Sequence, residues 1–96
     1  MARSLDPHAV FSKLEAGDAE LLDLRTAAER RRFGAPPGAR PVSLLEHALH
    51  PAGPEAIYLC QHAVRSKATL RRGAAEVAGG FVAWKAAGLP VDDVQD

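Results

Sequence analysis

Residues 55–66 read EAIYLCQHAVRS, and the first half of this stretch carries a clear strand signal. Ile57, Tyr58 and Leu59 form a continuous apolar run, which is typical of a strand that is buried on both faces of a sheet. The only cysteine of the chain, Cys60, follows where this strand should end. A cysteine in that position is either a small buried hydrophobic residue or a nucleophile.

Other short segments predict further strands. The stretch AELLDLR (residues 19–25) has leucines in a run that is too short for a membrane and is bounded by polar residues, which favours a buried strand. The proline-rich stretch APPGARPVS (residues 35–43) predicts a turn that leads into a brief edge strand near Val42. A last strand could include only a few residues around Val77.

Helix start and stop signals lie between these strands. Asp6 as N-cap and Pro7 at the first helical position predict a helix that ends at Gly17. Thr26 and Glu29 have the spacing of a capping box, which predicts a second helix. Gly34 should terminate that second helix.

Three more helices are predicted after residue 42. Ser43 and Glu46 repeat the capping-box spacing, and the helix that they begin should stop at Pro51. The stretches SKATLRRG (residues 66–73) and FVAWKAAG (residues 81–88) also favour helices. Strands that alternate with helices predict an α/β fold with a small three-layer architecture, in which helices cover both faces of a central parallel sheet.

Length and composition limit the possible functions. The 96 residues are enough for one domain (1–96), whose residues 92–96 we expect to form a frayed acidic tail. Twelve basic and twelve acidic side chains balance, so composition favours neither a nucleic acid nor a membrane as partner. A lone cysteine cannot form an internal disulfide, and residues 1–17 lack the pattern of a signal peptide, so we expect a cytoplasmic protein.

The segment after Cys60 predicts chemistry. Only the residues QHAVR separate Cys60 from the predicted helix at 66–73. The backbone N–H groups of such a tight loop, at the N-terminus of a helix, can converge on an anion. The helix dipole and the positive charge of Arg65 both favour thiolate over thiol. The spacing therefore favours a reactive nucleophile over a core cysteine.

Three stretches together resemble the rhodanese-homology domains, the family of the sulfurtransferases. YLCQHAVRS (residues 58–66) is similar to the family's active-site loop, in which C-x-x-x-x-R-S connects a strand to a helix. LLDLRTAAERRRFGAPPGA (residues 21–39) is similar to its first strand, helix and Pro-Gly-Ala turn, and GGFVAWKAAGLPV (residues 79–91) to its C-terminal signature. The three stretches stand in the family's order, and together they span residues 21–91, which is most of the chain.

This resemblance implies a specific activity. Cys60 would take a sulfane sulfur from a donor such as thiosulfate, form a persulfide and release sulfite. A thiol, cyanide or a partner protein would then accept the sulfur, in a two-step covalent reaction that requires no cofactor or metal. Arg65 would bind the sulfonate end of the donor, and backbone N–H groups of the loop would hold the persulfide. The loop residues so implied are Gln61, His62, Ala63, Val64, Arg65 and Ser66.

Departures from the family's pattern keep other functions open. Ala63 stands where the family usually has glycine, which costs about 1 kcal/mol if that position requires a positive φ. The chain between Arg65 and Gly79 is also shorter than usual, by about one and a half helical turns. A binding or regulatory module without turnover is therefore an alternative. A cysteine-dependent phosphatase or arsenate reductase is another, although its loop has one more residue between cysteine and arginine.

The histidines do not predict a metal site. His62 could steer an anion or act as a base, although a solvated loop histidine is the simpler interpretation. His8, His47 and His50 are scattered over predicted helices, with no cysteine or carboxylate at ligand spacing.

Overall fold

The computed structural model describes residues 3–43, 45–46, 55–62 and 75–95, and the structural statements below concern these residues. They form a five-stranded parallel sheet in the order β1-β5-β4-β2-β3. The strands are β1 (Arg3–Leu5), β2 (Glu20–Asp23), β3 (Arg40–Pro41), β4 (Ala56–Leu59) and β5 (Ala75–Val77). The helices are α1 (Pro7–Glu15), α2 (Ala27–Phe33) and α3 (Gly80–Ala86). The prediction of an α/β fold with a central parallel sheet is confirmed.

Both faces of the sheet bury apolar side chains. Alternate residues of β4 belong to different core clusters, as the two-residue period of a strand requires. α1 and α3 cover the first face, because their buried side chains belong to the first cluster. That cluster comprises Val10, Leu21, Ile57, Leu59, Ala75, Val77, Phe81 and Trp84. The second comprises Leu22, Leu24, Val42, Ala56 and Tyr58.

The predicted caps of α1 and α2 are confirmed. The Asp6 carboxylate accepts a hydrogen bond from the backbone N–H of His8 at 3.0 Å. The Thr26 hydroxyl accepts from the N–H of Glu29 at 3.1 Å, and the Glu29 carboxylate accepts in return from the N–H of Thr26 at 2.9 Å. These contacts are local, which is why the sequence signals alone predicted where both helices begin.

The C-terminal segment is attached to the folded domain as far as Asp92, which is further than expected. Trp84 is fully buried, and its indole N–H donates to the carbonyl of Pro90 at 2.8 Å. Ala35 and Asp92 then exchange two backbone hydrogen bonds of 2.9 and 2.8 Å. Asp92, which was expected to begin the frayed tail, is therefore held by the folded domain, because an isolated bridge pairs its backbone.

β1 was not predicted from the sequence. Its three residues contain a single apolar side chain, Leu5, so no strand pattern was visible. The strand forms because it pairs in parallel with β5, more than 70 residues later, and the Ser4 hydroxyl donates to the buried Glu76 carboxylate at 2.8 Å. β1 lies at one edge of the sheet and β3, the predicted edge strand, at the other.

Two of the predicted helices fall wholly or mainly outside the described residues. Residues 45–46 are helical, and the backbone N–H of Glu46 donates to the Ser43 hydroxyl at 2.9 Å, as the predicted cap requires. The rest of that helix and the whole segment 66–73 lie outside the described ranges. Among the helices that are described, none has the length and apolar character needed to cross a membrane.

Candidate active site

Cys60 lies at the carboxyl end of the central strand. β4 pairs with β2 on one side and with β5 on the other, and Cys60 is the first residue after it. The parallel pairing with β2 extends one step past that strand, because the N–H of Leu24 donates to the carbonyl of Leu59 at 2.8 Å. In open α/β sheets, ligands bind beyond the carboxyl ends of the strands. Cys60 therefore lies at the edge of the sheet where a ligand is expected to bind.

Helix α3 holds the backbone of this segment. The N–H of Phe81 donates to the carbonyl of Cys60 at 2.8 Å, and the N–H of Val82 donates to the carbonyl of Gln61 at 3.1 Å. Donors that are unpaired within a helix at its N-terminus are here used to fix the main chain on both residues. The side chain of Cys60 is buried, with 1% of the residue exposed.

A buried ion pair adjoins the cysteine segment. Asp23 ends β2, and Arg25 follows two residues later. The Arg25 Nε lies 2.9 Å from Asp23 Oδ1, and its Nη2 lies 2.7 Å from Oδ2, so the pair is bidentate. Both side chains have no exposed surface. Two charges removed from water in this way need complete hydrogen bonding, which the fork geometry of arginine and carboxylate supplies.

Arg25 also joins three other parts of the site. Its Nη2 donates to the carbonyl of Gly34 at 2.8 Å, where helix α2 ends. Its Nη1 donates to Gln61 Oε1 at 3.2 Å. Its guanidinium carbon lies 4.2 Å above the centre of the Phe81 ring, within the range of a cation–π contact. One buried cation therefore connects β2, α2, α3 and the residue that follows Cys60.

The predicted site residues are only partly described. Cys60 is buried, Gln61 is half-buried and bound to Arg25, and His62 is exposed. The exposure of His62 agrees with a solvated loop residue. Residues 63–66, which include Arg65 of the predicted anion-binding loop, lie outside the described residues.

Sequence reasoning missed the ion pair as part of the site. Asp23 and Arg25 both belong to the stretch at residues 19–25, which predicted a buried strand, but they were assigned no role. A signal was present, because two charged residues directly after a buried apolar strand must find partners if they stay inside the protein. That Arg25 reaches Gly34 and Gln61 could not be read from the sequence, since these contacts link distant segments.

No cluster of potential metal ligands is present in the described part of the chain, where three or more histidine, cysteine or acidic side chains nowhere lie together. These residues present a thiol at the end of a strand, beside a buried arginine that several contacts hold in position.

Solved structures with a similar fold are known. No family model matches the sequence, and no curated protein matches it significantly. The chain is similar to a solved rhodanese-related protein from Thermoplasma volcanium, with a TM-score of 0.77 and 22% identity over 94% of this chain and 97% of that chain. It is also similar to a rhodanese-like domain protein from Staphylococcus aureus, with a TM-score of 0.68 and 26% identity over 94% and 98%.

A third similar structure is a thiosulfate sulfurtransferase from Pseudomonas aeruginosa, with a TM-score of 0.74 and 26% identity. The alignment covers 97% of this chain and 20% of that one, so the chain corresponds to a fifth of the Pseudomonas protein. The chain therefore has the fold of the rhodanese-like domains, as its three sequence stretches predicted.

Proposed function

We propose that the protein is a sulfurtransferase that moves a sulfane sulfur from thiosulfate, or from a persulfide donor, to a thiophilic acceptor through a persulfide on Cys60. The observation that carries this proposal is the position of Cys60 at the carboxyl end of the central strand of a rhodanese fold. The C-x-x-x-x-R-S spacing from Cys60 to Ser66 supports it independently.

The proposed reaction has two displacement steps. The Cys60 thiolate attacks the outer sulfur of thiosulfate, the sulfur–sulfur bond of the donor breaks, and sulfite leaves with the electron pair. Cys60 then carries the persulfide. A nucleophilic acceptor attacks the terminal sulfur, the new sulfur–sulfur bond breaks, and the thiolate is regenerated. With cyanide as acceptor the product is thiocyanate, and no oxidant, metal or cofactor enters the balance.

The surroundings of Cys60 suit such an intermediate. Its burial keeps water away from the reacting sulfur, which limits side reactions of a persulfide. The pairing of β4 on both sides and the hydrogen bonds from α3 hold its backbone in one place, so a bound donor meets the sulfur in a defined geometry. Arg65 is the residue proposed to bind the sulfonate end of the donor.

Intact-mass spectrometry tests the proposal directly. After incubation with thiosulfate and removal of small molecules, the wild-type protein should carry one added sulfur, and cyanide should remove it with release of thiocyanate. Cys60→Ser is the matched control, because serine differs from cysteine by one atom and is a poor nucleophile without a general base. This variant should gain no sulfur.

Two other outcomes of these experiments would each favour one of the alternative functions. A folded wild-type protein that gains no sulfur, from thiosulfate or from a low-molecular-weight persulfide, contradicts the proposal and favours a binding or regulatory module. Hydrolysis of an aryl phosphate by the wild type but not by Cys60→Ser would instead favour a cysteine-dependent phosphatase.

A further inference from the structure

We propose that Gln61 is a positioning residue for Cys60, which acts through the buried cation Arg25. The side-chain carbonyl of Gln61, bound to Arg25, sets the direction in which the chain leaves the cysteine. As a role in catalysis this inference rests on the proposed sulfur transfer, but the anchoring of Cys60 that it requires is measurable without any sulfur chemistry.

Arg25 can act as an anchor because its own position is determined from several sides. Asp23 binds it through two oxygens, and the carbonyl of Gly34 accepts from the same Nη2 that reaches Asp23. The ring of Phe81 lies against the guanidinium at 4.2 Å. Because the side chain has no exposed surface, no alternative position in water competes with these contacts. Because Arg25 is fixed in this way, its Nη1 can donate a hydrogen bond in one direction only.

The side chain of Gln61 lies in that direction, and the donors of arginine determine how the Gln61 amide is oriented. Arginine has only donors, so the amide must present its oxygen, Oε1, to Nη1 at 3.2 Å and turn its NH2 group away. The main chain of the same residue is held separately, because its carbonyl accepts from the N–H of Val82 at 3.1 Å. Gln61 is therefore attached at both side chain and backbone, and it cannot rotate without breaking one bond.

These two attachments restrict Cys60. Its carbonyl accepts from the N–H of Phe81, and the next residue is held by Arg25 and Val82, so the peptide plane between Cys60 and Gln61 has little freedom. Attack on a sulfur–sulfur bond needs the attacking sulfur in line with that bond, and small misplacements of a reacting group cost large factors in rate. Gln61 would supply this alignment without touching the substrate.

Gln61→Met tests the inference, because methionine has a similar length but cannot accept a hydrogen bond from Arg25. Gln95→Met is the matched control, since Gln95 is the other glutamine of the chain and is exposed near the C-terminus. Gln61→Met should lower the rate constant of persulfide formation roughly tenfold to a hundredfold, with the KM for thiosulfate changed less than about twofold. A raised KM would mean that Gln61 contacts the donor, and this would overturn the positioning role.

Alkylation of Cys60 by iodoacetamide supplies a second readout, with the opposite sign. Because only 1% of Cys60 is exposed, a reagent that the site does not bind and align gains access through motion of the segment. Loss of the anchor should therefore raise the alkylation rate several-fold at every pH, while sulfur transfer, which needs an aligned sulfur, falls. The melting temperature should change by less than roughly 3 °C, because Gln61 is partly exposed. Gln61→Glu keeps an oxygen that accepts from Arg25. Compared at a pH where the alkylation rate of each variant no longer rises, it should return the alkylation rate toward that of the wild type.

The two measurements separate the two proposals. A wild type that gains no sulfur refutes the proposed function, while faster alkylation of Gln61→Met still demonstrates the anchor. Equal alkylation rates in wild type, Gln61→Met and Gln95→Met overturn the anchor even if sulfur transfer is normal. If Gln61→Glu is alkylated as fast as Gln61→Met, the hydrogen bond to Arg25 is not the cause.

Discussion

The two ends of β2 each carry an arginine–carboxylate pair, in opposite environments. At the amino end, Glu20 accepts from Arg40 Nε at 2.9 Å, and both side chains are 51% exposed. At the carboxyl end, Asp23 accepts from Arg25 at 2.7 Å, and both side chains are 0% exposed. The residue types and the shortest distances are similar, but the exposed pair is joined by one hydrogen bond and the buried pair by a bidentate set. The two pairs therefore differ in geometry as well as in their surroundings.

The surroundings change what each pair does. Water and salt screen the exposed pair, so the hydrogen bond that Arg40 donates to Glu20, which raises the pKa of Arg40 above its ordinary value, has no consequence near neutral pH. The buried pair has left water, and each partner needs the other to remain inside. Arg25 is thereby held rigidly enough to organise Gln61 and Gly34. Burial therefore allows the arginine at the carboxyl end of β2, unlike the one at the amino end, to organise the residues around it.

The largest expected effect concerns activity at the carboxyl end. Cys60→Ser should reduce thiocyanate production from thiosulfate and cyanide to the background rate, because the persulfide cannot form. Its melting temperature should stay close to that of the wild type, since serine fills nearly the same volume. Residual turnover above background in the purified variant would remove Cys60 from the mechanism.

The next effect concerns the stability of the buried pair. Arg25→Met should lower the free energy of unfolding by about 3 to 5 kcal/mol, because it leaves the Asp23 carboxylate buried without its cation. Urea or guanidinium unfolding at neutral pH measures this loss. If the single variant does not fold, the double variant Asp23→Leu with Arg25→Met keeps the test open.

The double variant should recover a large part of the lost stability, because it removes both charges together. It should not recover activity, since Gln61 still lacks its donor. A double variant no more stable than Arg25→Met would show that the unpaired charge is not the origin of the loss.

A smaller effect on stability is expected at Gly34, whose carbonyl accepts a hydrogen bond from Arg25. Gly34 has φ 84°, and a Cβ atom there would lie 2.6 Å from Val91 Cγ1 and 2.8 Å from the carbonyl oxygen of Asp92. Gly34→Ala should therefore cost about 2 to 4 kcal/mol, from the positive φ and the collision together. Gly38, with φ 77° and nothing within 4 Å of its Cβ position, is the matched control.

Gly38→Ala should cost only the conformational part, about 1 to 2 kcal/mol. Thermal or denaturant unfolding of the two variants measures the difference. Equal losses would mean that the C-terminal segment around Val91 moves aside easily, and that its two backbone hydrogen bonds to Ala35 contribute little.

The smallest effect is expected at the amino end of β2. Arg40→Ala should leave the melting temperature unchanged within experimental error, both in dilute buffer and in high salt, because the pair with Glu20 is exposed. Sulfur transfer should also be unchanged. A loss of stability comparable to that of Arg25→Met would refute the view that burial separates the two pairs.

Local signals were enough to predict much of the fold. The apolar runs predicted β2 and β4, and the caps at Asp6 and Thr26 predicted where α1 and α2 begin, since these interactions lie within a few residues of one another. The position of Cys60 after β4 followed from the same run. β1 was missed because a strand of three residues has no visible period and exists only through its pairing with β5.

Three features follow from the amino-acid sequence alone: the α/β class, the central strand with Cys60 at its end, and the resemblance that led to the proposed chemistry. These depend on side-chain periodicity and on residues close together in the chain. The burial of Arg25 against Asp23, and its contacts with Gly34, Gln61 and Phe81, became visible in the folded structure. A charged residue reads the same in the sequence whether it is solvated or buried. Its role depends on which distant groups the folded chain brings within hydrogen-bonding distance.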